Sequence, residues 1–130
     1  MNTPSADASL FAAIDAVAAT HAARDCWIVP ERGTWRFADL RSQSARHAAA
    51  LRALGVRPGD RVLVQAEKSP EFLLLYLGCL RAGGVFVPLN AAYTAAEVGY
   101  FAGDCEPRVM GCDPARQAAL ATVAAACGAR

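Results

Sequence analysis

The stretch RAGGVFVPLNAAYT, residues 81–94, decides the fold. It closes an apolar helix on two glycines, launches a short β-prone run, stops at Pro88 and opens the next helix at Thr94. Gly83-Gly84 reads as a helix C-cap with a tight entry to a strand, because glycine enters the left-handed region freely. Pro88 has no N–H for a ladder, so a strand over 85–87 is expected to end there. Thr94 with Glu97 has the spacing of a capping box, which satisfies two orphan amides at a helix start. The stretch is therefore a helix-to-strand-to-helix passage of an α/β sheet.

Working outward, the preceding helix is predicted over 70–81, with Ser69 as cap and Pro70 in the first turn. Phe72, Leu73, Leu74, Leu75, Tyr76, Leu77, Cys79 and Leu80 leave it hardly any polar face. Such a helix is covered on more than one side. Before it come a turn at 56–60 and a strand over 61–66. A helix over 38–54 presents Leu40, Ala48, Leu51 and Leu54 inward, keeps Arg41, Arg46 and Arg52 wet, and stops at Gly55. Runs at 26–29 and 34–37, around Pro30 and Gly33, predict one short hairpin. A first helix over 9–24 has Ser9 as cap and Leu10, Ile14 and Val17 at helical spacing. Residues 1–8 read as a flexible arm.

Downstream of Thr94, a helix runs to about 103 and a strand spans 108–112. Asp113-Pro114 then caps and starts an alanine-rich helix ending near 127. Alternating strands and helices call for right-handed βαβ units and a mostly parallel sheet with flanking helices. No boundary, repeat or low-complexity linker divides residues 9–130.

The chain has 130 residues, 55% hydrophobic and 19% charged, with a net charge of +1. That balance describes a globular body and gives no electrostatic reason to invoke nucleic acid or an anionic membrane. No run of about 18 apolar residues could span a bilayer. The amino terminus lacks the basic start of a signal peptide. Five widely spaced cysteines without a Cys-x-x-Cys read as buried free thiols in a reducing, cytoplasmic setting.

Neither a G-x-x-x-x-G-K-[ST] loop nor a G-x-G-x-x-G occurs, and neither a G-x-S-x-G elbow nor an H-E-x-x-H helix. No catalytic set and no metal site can be assembled. In open α/β sheets ligands lie beyond the carboxyl ends of strands, which leaves two substrate-binding candidates. Lys68, after the first long strand, can meet a phosphate or carboxylate as a point charge, or sit in solvent beside Glu67. Asn90, after the second, can orient a substrate through its amide, or bond its own backbone in an Asx-turn. Tyr93 is expected to pack its ring, Thr94 and Glu97 to cap, His47 to pack beside an inner stripe, and Asp104-Cys105-Glu106 to form a solvated turn.

These phrases together resemble a known family. Trp35-Arg36-Phe37-Ala38-Asp39-Leu40, Leu54-Gly55-Val56 with Pro58-Gly59-Asp60-Arg61-Val62, Ser69-Pro70-Glu71-Phe72 and the 81–94 stretch resemble the N-terminal region of adenylate-forming enzymes. Those are the acyl-CoA synthetases, the adenylation domains of peptide synthetases and the luciferases. The wording is most similar to malonyl-CoA synthetases in Ala66-Glu67-Lys68-Ser69, Pro88-Leu89-Asn90, Ala92-Tyr93-Thr94 and Cys112-Asp113-Pro114. Ala91 departs from that pattern, which favours threonine there.

The resemblance implies the N-terminal part of a layered α/β large domain. It also implies a ligase that uses ATP, Mg and CoA to convert a small carboxylic acid to its CoA thioester through an acyl-adenylate. The family's phosphate loop, ribose-binding Asp and mobile-domain Lys match no position here, so the 130 residues alone are expected to be inactive. Two other readings stay open. One is a stand-alone interaction module, forming a homo-oligomer or meeting a partner through the apolar helix 70–81. The other is an adenylating enzyme for another acid.

Overall fold

The computed structural model describes residues 9–130, and the arm expected over 1–8 lies outside the described residues. Eleven elements follow one another. They are α1 (Leu10–Thr20), the hairpin β1 (Asp25–Val29) and β2 (Gly33–Arg36), α2 (Phe37–Ala53), β3 (Arg61–Gln65), α3 (Pro70–Arg81), β4 (Val85–Pro88), α4 (Ala95–Cys105), β5 (Val109–Cys112), a 3-10 turn (Pro114–Arg116) and α5 (Gln117–Cys127). β1 and β2 pair antiparallel. The other three strands form a parallel sheet in the order β4-β3-β5. Val62 is opposite Phe86 on one side and Val109 on the other.

The period of two in β3 sends its side chains to two different layers. Val62 and Val64 meet Leu51 of α2 and Cys79 of α3, with Phe72, Leu75 and Phe86 packed alongside. Leu63 points the opposite way, into a core with Val98 of α4 and Leu120 of α5. The sheet is therefore covered on both faces, which is why β3 reads as a continuous apolar run.

The breadth of α3's apolar surface has its cause in this arrangement. Phe72 and Leu75 lie against the sheet, while Leu77 packs with Ala18 of α1 and Leu40 of α2. α2 approaches so closely at Gly78 that a Cβ there would lie 2.5 Å from the His47 Cβ and 3.0 Å from the Ala48 nitrogen. Arginines fasten the same contact: Arg81 donates to the Arg41 carbonyl (3.1 Å) and Arg52 to the Arg81 carbonyl (2.9 Å). Arg41 also forks onto Asp15 of α1, at 2.8 and 3.2 Å, so it is not a free surface cation.

Four expectations need correction. Leu54 is not on the inner stripe of α2: it is 40% exposed, and the buried residues are Leu40, Ser44, Ala48 and Leu51. Leu54 is the C-cap, where Gly55 turns the chain, and Val56 fills the core in its place. Its amide returns to the Leu51 carbonyl at 3.0 Å, as the hydrophobic residue of a Schellman ending does. Phe37 likewise opens α2 rather than ending β2.

Pro88 does not stop the ladder, since it stands opposite Val64 and Leu89 still donates to the Val64 carbonyl at 2.8 Å. β4 is the edge strand, and the Leu89 amide is the one that faces β3, so the missing N–H of Pro88 falls on the open side. Asp113 makes no side-chain cap. Its Oδ2 instead accepts the Glu67 amide at 2.9 Å, across from the next strand's loop. Of the five cysteines, all free, only Cys79 is buried, the others lying half-exposed at the layer margins.

Candidate functional site at the carboxyl ends of the strands

β3 is followed by α3 on one face, whereas β5 is followed by α5 on the other. The chain thus changes side between β3 and β5, and a crevice opens at their carboxyl ends, where α/β sheets take ligands. It holds about 390 Å³ between Ala66, Ser69 and Phe72 on one wall and Gly111, Cys112 and Asp113 on the other, with His47 of α2 behind. The Glu67–Asp113 hydrogen bond ties its two lips together.

The polar groups around this crevice are largely committed. The Ser69 hydroxyl accepts the Phe72 amide at 3.1 Å as the α3 cap. His47 Nδ1 lies 2.9 Å from the Gln43 carbonyl, so it carries the ring's proton there. Glu71 holds Arg32 of the hairpin turn in a two-point pair. The Arg32 hydrogen bond draws the Glu71 carboxyl down to about 2. Burial raises the Cys112 thiol, helped by Asp113, and raises Cys79 to about 11. Neither is a ready thiolate nucleophile.

Lys68 and Asn90 are both placed at carboxyl ends, but the structure does not bring them together. The Lys68 ammonium lies 4.3 Å over the Phe72 ring and borders an apolar hollow of about 320 Å³ with Leu73, Tyr76, Phe86 and Pro88. Asn90 Oδ1 accepts the Ala92 amide at 2.9 Å, an Asx-turn that holds its own loop. Tyr93 stacks on Phe101 with centroids 5.3 Å apart. Thr94 and Glu97 cap α4 reciprocally, the Thr94 amide reaching Glu97 Oε2 at 2.8 Å and the Glu97 amide Thr94 Oγ1 at 3.3 Å. Gly83 (φ 80°) and Gly84 complete a Schellman ending on the carbonyls of Leu80 and Cys79, at 3.0 and 2.9 Å.

Gln65 was not foreseen. It is buried at the end of β3, and its Nε2 donates to the carbonyls of Asn90 at 3.0 Å and Tyr93 at 2.9 Å. Arg116 reaches the same Tyr93 carbonyl at 2.8 Å. The loop after β4 is therefore shaped by backbone capture from both neighbouring strand ends. The one signal in the sequence was an amide closing an otherwise apolar strand.

An ATP triphosphate with its Mg does not fit these lips. Glu67, Glu71 and Asp113 surround the single cation Lys68, so anionic oxygens would meet net repulsion. Among the described residues no three His, Cys, Asp or Glu side chains converge to hold a metal ion. No step of phosphoryl or adenylyl chemistry is derived from these residues.

A parallel sheet sandwiched by helices, with a crevice where the chain changes face, defines the body as a ligand-binding α/β domain. The sequence profile of the AMP-binding enzyme family matches residues 14–129, and the chain belongs to that family. MatB of Rhodopseudomonas palustris is 46% identical with a TM-score of 0.74, over 77% of this chain and 20% of that one. An ATP-bound structure of MatB superposes with a TM-score of 0.82 at 39% identity, over 89% of this chain and 24% of that one. A salicyl-AMP ligase / salicyl-S-ArCP synthetase of Mycobacterium tuberculosis is 41% identical over 73 residues, 56% of this chain. A feruloyl-CoA synthase of Amycolatopsis sp is 38% identical over 89 residues, 68% of this chain. The chain spans only 13% and 18% of the length of those two relatives.

Proposed function

We propose that residues 9–130 are the N-terminal segment of the large domain of an AMP-forming acyl-CoA synthetase, and that its acid is malonate. In such an enzyme a carboxylate attacks the α-phosphorus of ATP, pyrophosphate leaves, and the CoA thiol then displaces AMP from the acyl-adenylate. The observation that carries the assignment is the family match over residues 14–129. Malonate is supported by the wording shared with malonyl-CoA synthetases around Lys68, Asn90 and Asp113. Lys68 and Asn90 are its substrate-side candidates: one offers a cation beside an apolar hollow, the other a rigidly held loop. A cytoplasmic location fits the free thiols.

The chain alone is proposed to lack ligase activity, because its strand ends offer no cation clamp for a triphosphate. ATP–pyrophosphate exchange with malonate tests both parts. The isolated chain is expected to show none, and robust exchange would overturn the claim. Grafted in place of the aligned segment of the R. palustris MatB, the chain is expected to retain malonate-dependent exchange within about tenfold, a loss of no more than 1.4 kcal/mol in barrier. A folded graft that has lost malonate turnover, and not turnover in general, would reject the substrate. Another acid is the second reading, favoured by the relatives that act on salicyl and feruloyl groups. Salicylate and ferulate therefore belong in the same assay.

A further inference from the structure

α5 ends at Gly128, whose φ of 71° turns the chain back along the sheet. Arg130 then lies against the outer side of β5. Its amide donates to the Arg108 carbonyl at 3.1 Å, and its own carbonyl accepts the Met110 amide at 2.9 Å. Two bonds that straddle Val109 in this way are one rung of a parallel ladder, with Arg130 opposite Val109. The next rung on that edge would engage the Met110 carbonyl and the Cys112 amide.

Beside this edge runs a groove of about 200 Å³ between β5 and α5, lined chiefly by Met110, Cys112, Leu120, Ala121 and Ala124. Met110 faces the α4/α5 layer and Val109 the α2/α3 layer. A residue opposite Met110 must therefore send its side chain into the groove, and the one after it must point to the other face. The opposite edge of the sheet is closed to such pairing: β4 carries Pro88 with no N–H on its open side, a device that blunts edge strands. The β5 edge has no such guard, and it already holds a residue in parallel register.

We propose that the outer edge of β5 is a docking seat for an extended strand that runs parallel to β5 and places an apolar side chain opposite Met110. Its occupant is a segment of the remainder of an AMP-forming ligase, so the proposal rests on the reading above for the occupant but not for the seat. The chemistry of recognition is β-augmentation: backbone bonds supply direction and register, and the groove selects the alternate side chains.

Two isomeric extensions of the full chain test it. One appends Val-Glu-Val-Lys after Arg130, which sets valines opposite Met110 and Cys112. The other appends Glu-Val-Lys-Val, which sets charges there. The first is expected to raise the melting temperature and to slow hydrogen exchange of the Cys112 amide by at least about tenfold, as a new ladder bond does. The second is expected to leave both unchanged. Ala121→Glu, on the exposed side of α5, is expected to abolish the gain of the first extension while leaving the unextended chain's melting temperature in place. Equal behaviour of the two extensions, or protection appearing on β4 amides in place of Cys112, would overturn the proposal. Neither readout involves ATP, so failure here is separate from failure of the ligase assignment.

Discussion

The two faces of the sheet are built from different materials. On the α2/α3 face, Leu51, Val62, Val64 and Cys79 interlock with three aromatic rings, Phe72 and Tyr76 both meeting Phe86 edge-on at 5.5 and 5.2 Å. A further helix, α1, closes that layer from outside. On the α4/α5 face the helices bring mainly alanine and glycine, and α5 buries only Leu120. An open groove of about 330 Å³ remains between them, lined by Ala95, Gly99, Ala102 and Val123 among others. The first face carries the stability of the body. The second, together with the free edge of β5, is shaped to receive more protein.

That contrast can be broken by substitution, beginning with the largest effect. Leu77→Ala removes a buried side chain from between α1, α2 and α3, and should cost about 3–5 kcal/mol in urea unfolding. Gly78→Ala drives a Cβ into the α2 backbone and should cost about 2–3 kcal/mol. A neutral result would mean that the two helices are not held at their close spacing. On the other face Leu120→Ala should cost only about 2 kcal/mol, because the groove beside it already admits solvent. If Leu120 proved as costly as Leu77, the contrast between the faces would be wrong.

Smaller effects refine it. Thr94→Ala deletes one half of the capping box and should lower stability by about 1 kcal/mol, with faster amide exchange confined to the first turn of α4. Glu71→Gln loosens the hairpin from α3. The pair is half exposed, so the loss should stay below about 1 kcal/mol. Its pH dependence carries a sign. Glu71 titrates near 2 when folded, against its ordinary 4.5, so its contribution is complete above pH 4.5 and disappears as pH falls through 2. The melting temperatures of wild type and variant should therefore converge in acid, and a gap that stays constant would show that the pair contributes nothing.

Much of this was legible because local signals agreed with one another. Ser69-Pro70 and Thr94…Glu97 name their helix starts, and Gly83-Gly84 names an end, through bonds that span five residues or fewer. Leu54 and Pro88 were misread for one reason. Whether a position counts as inner or as strand-ending depends on which neighbour lies opposite, and that neighbour is far away in sequence. Asp113 shows the same limit: as a cap it would have been local, but it bonds Glu67, 46 residues away. Gln65 escaped notice because an amide draws its meaning from the three-dimensional loop it gathers, not from its place in a strand.

The sequence by itself determined the element order, the caps, the parallel sheet and the family, since periodicity and short-range hydrogen bonding act within a few residues. Only the tertiary structure decided the strand order β4-β3-β5, the crevice at the switch between β3 and β5, and the commitment of its polar groups to structural bonds. It also decided that Arg130 lies on the open edge of β5. Those features arise from contacts between residues distant in the chain, which no local pattern encodes.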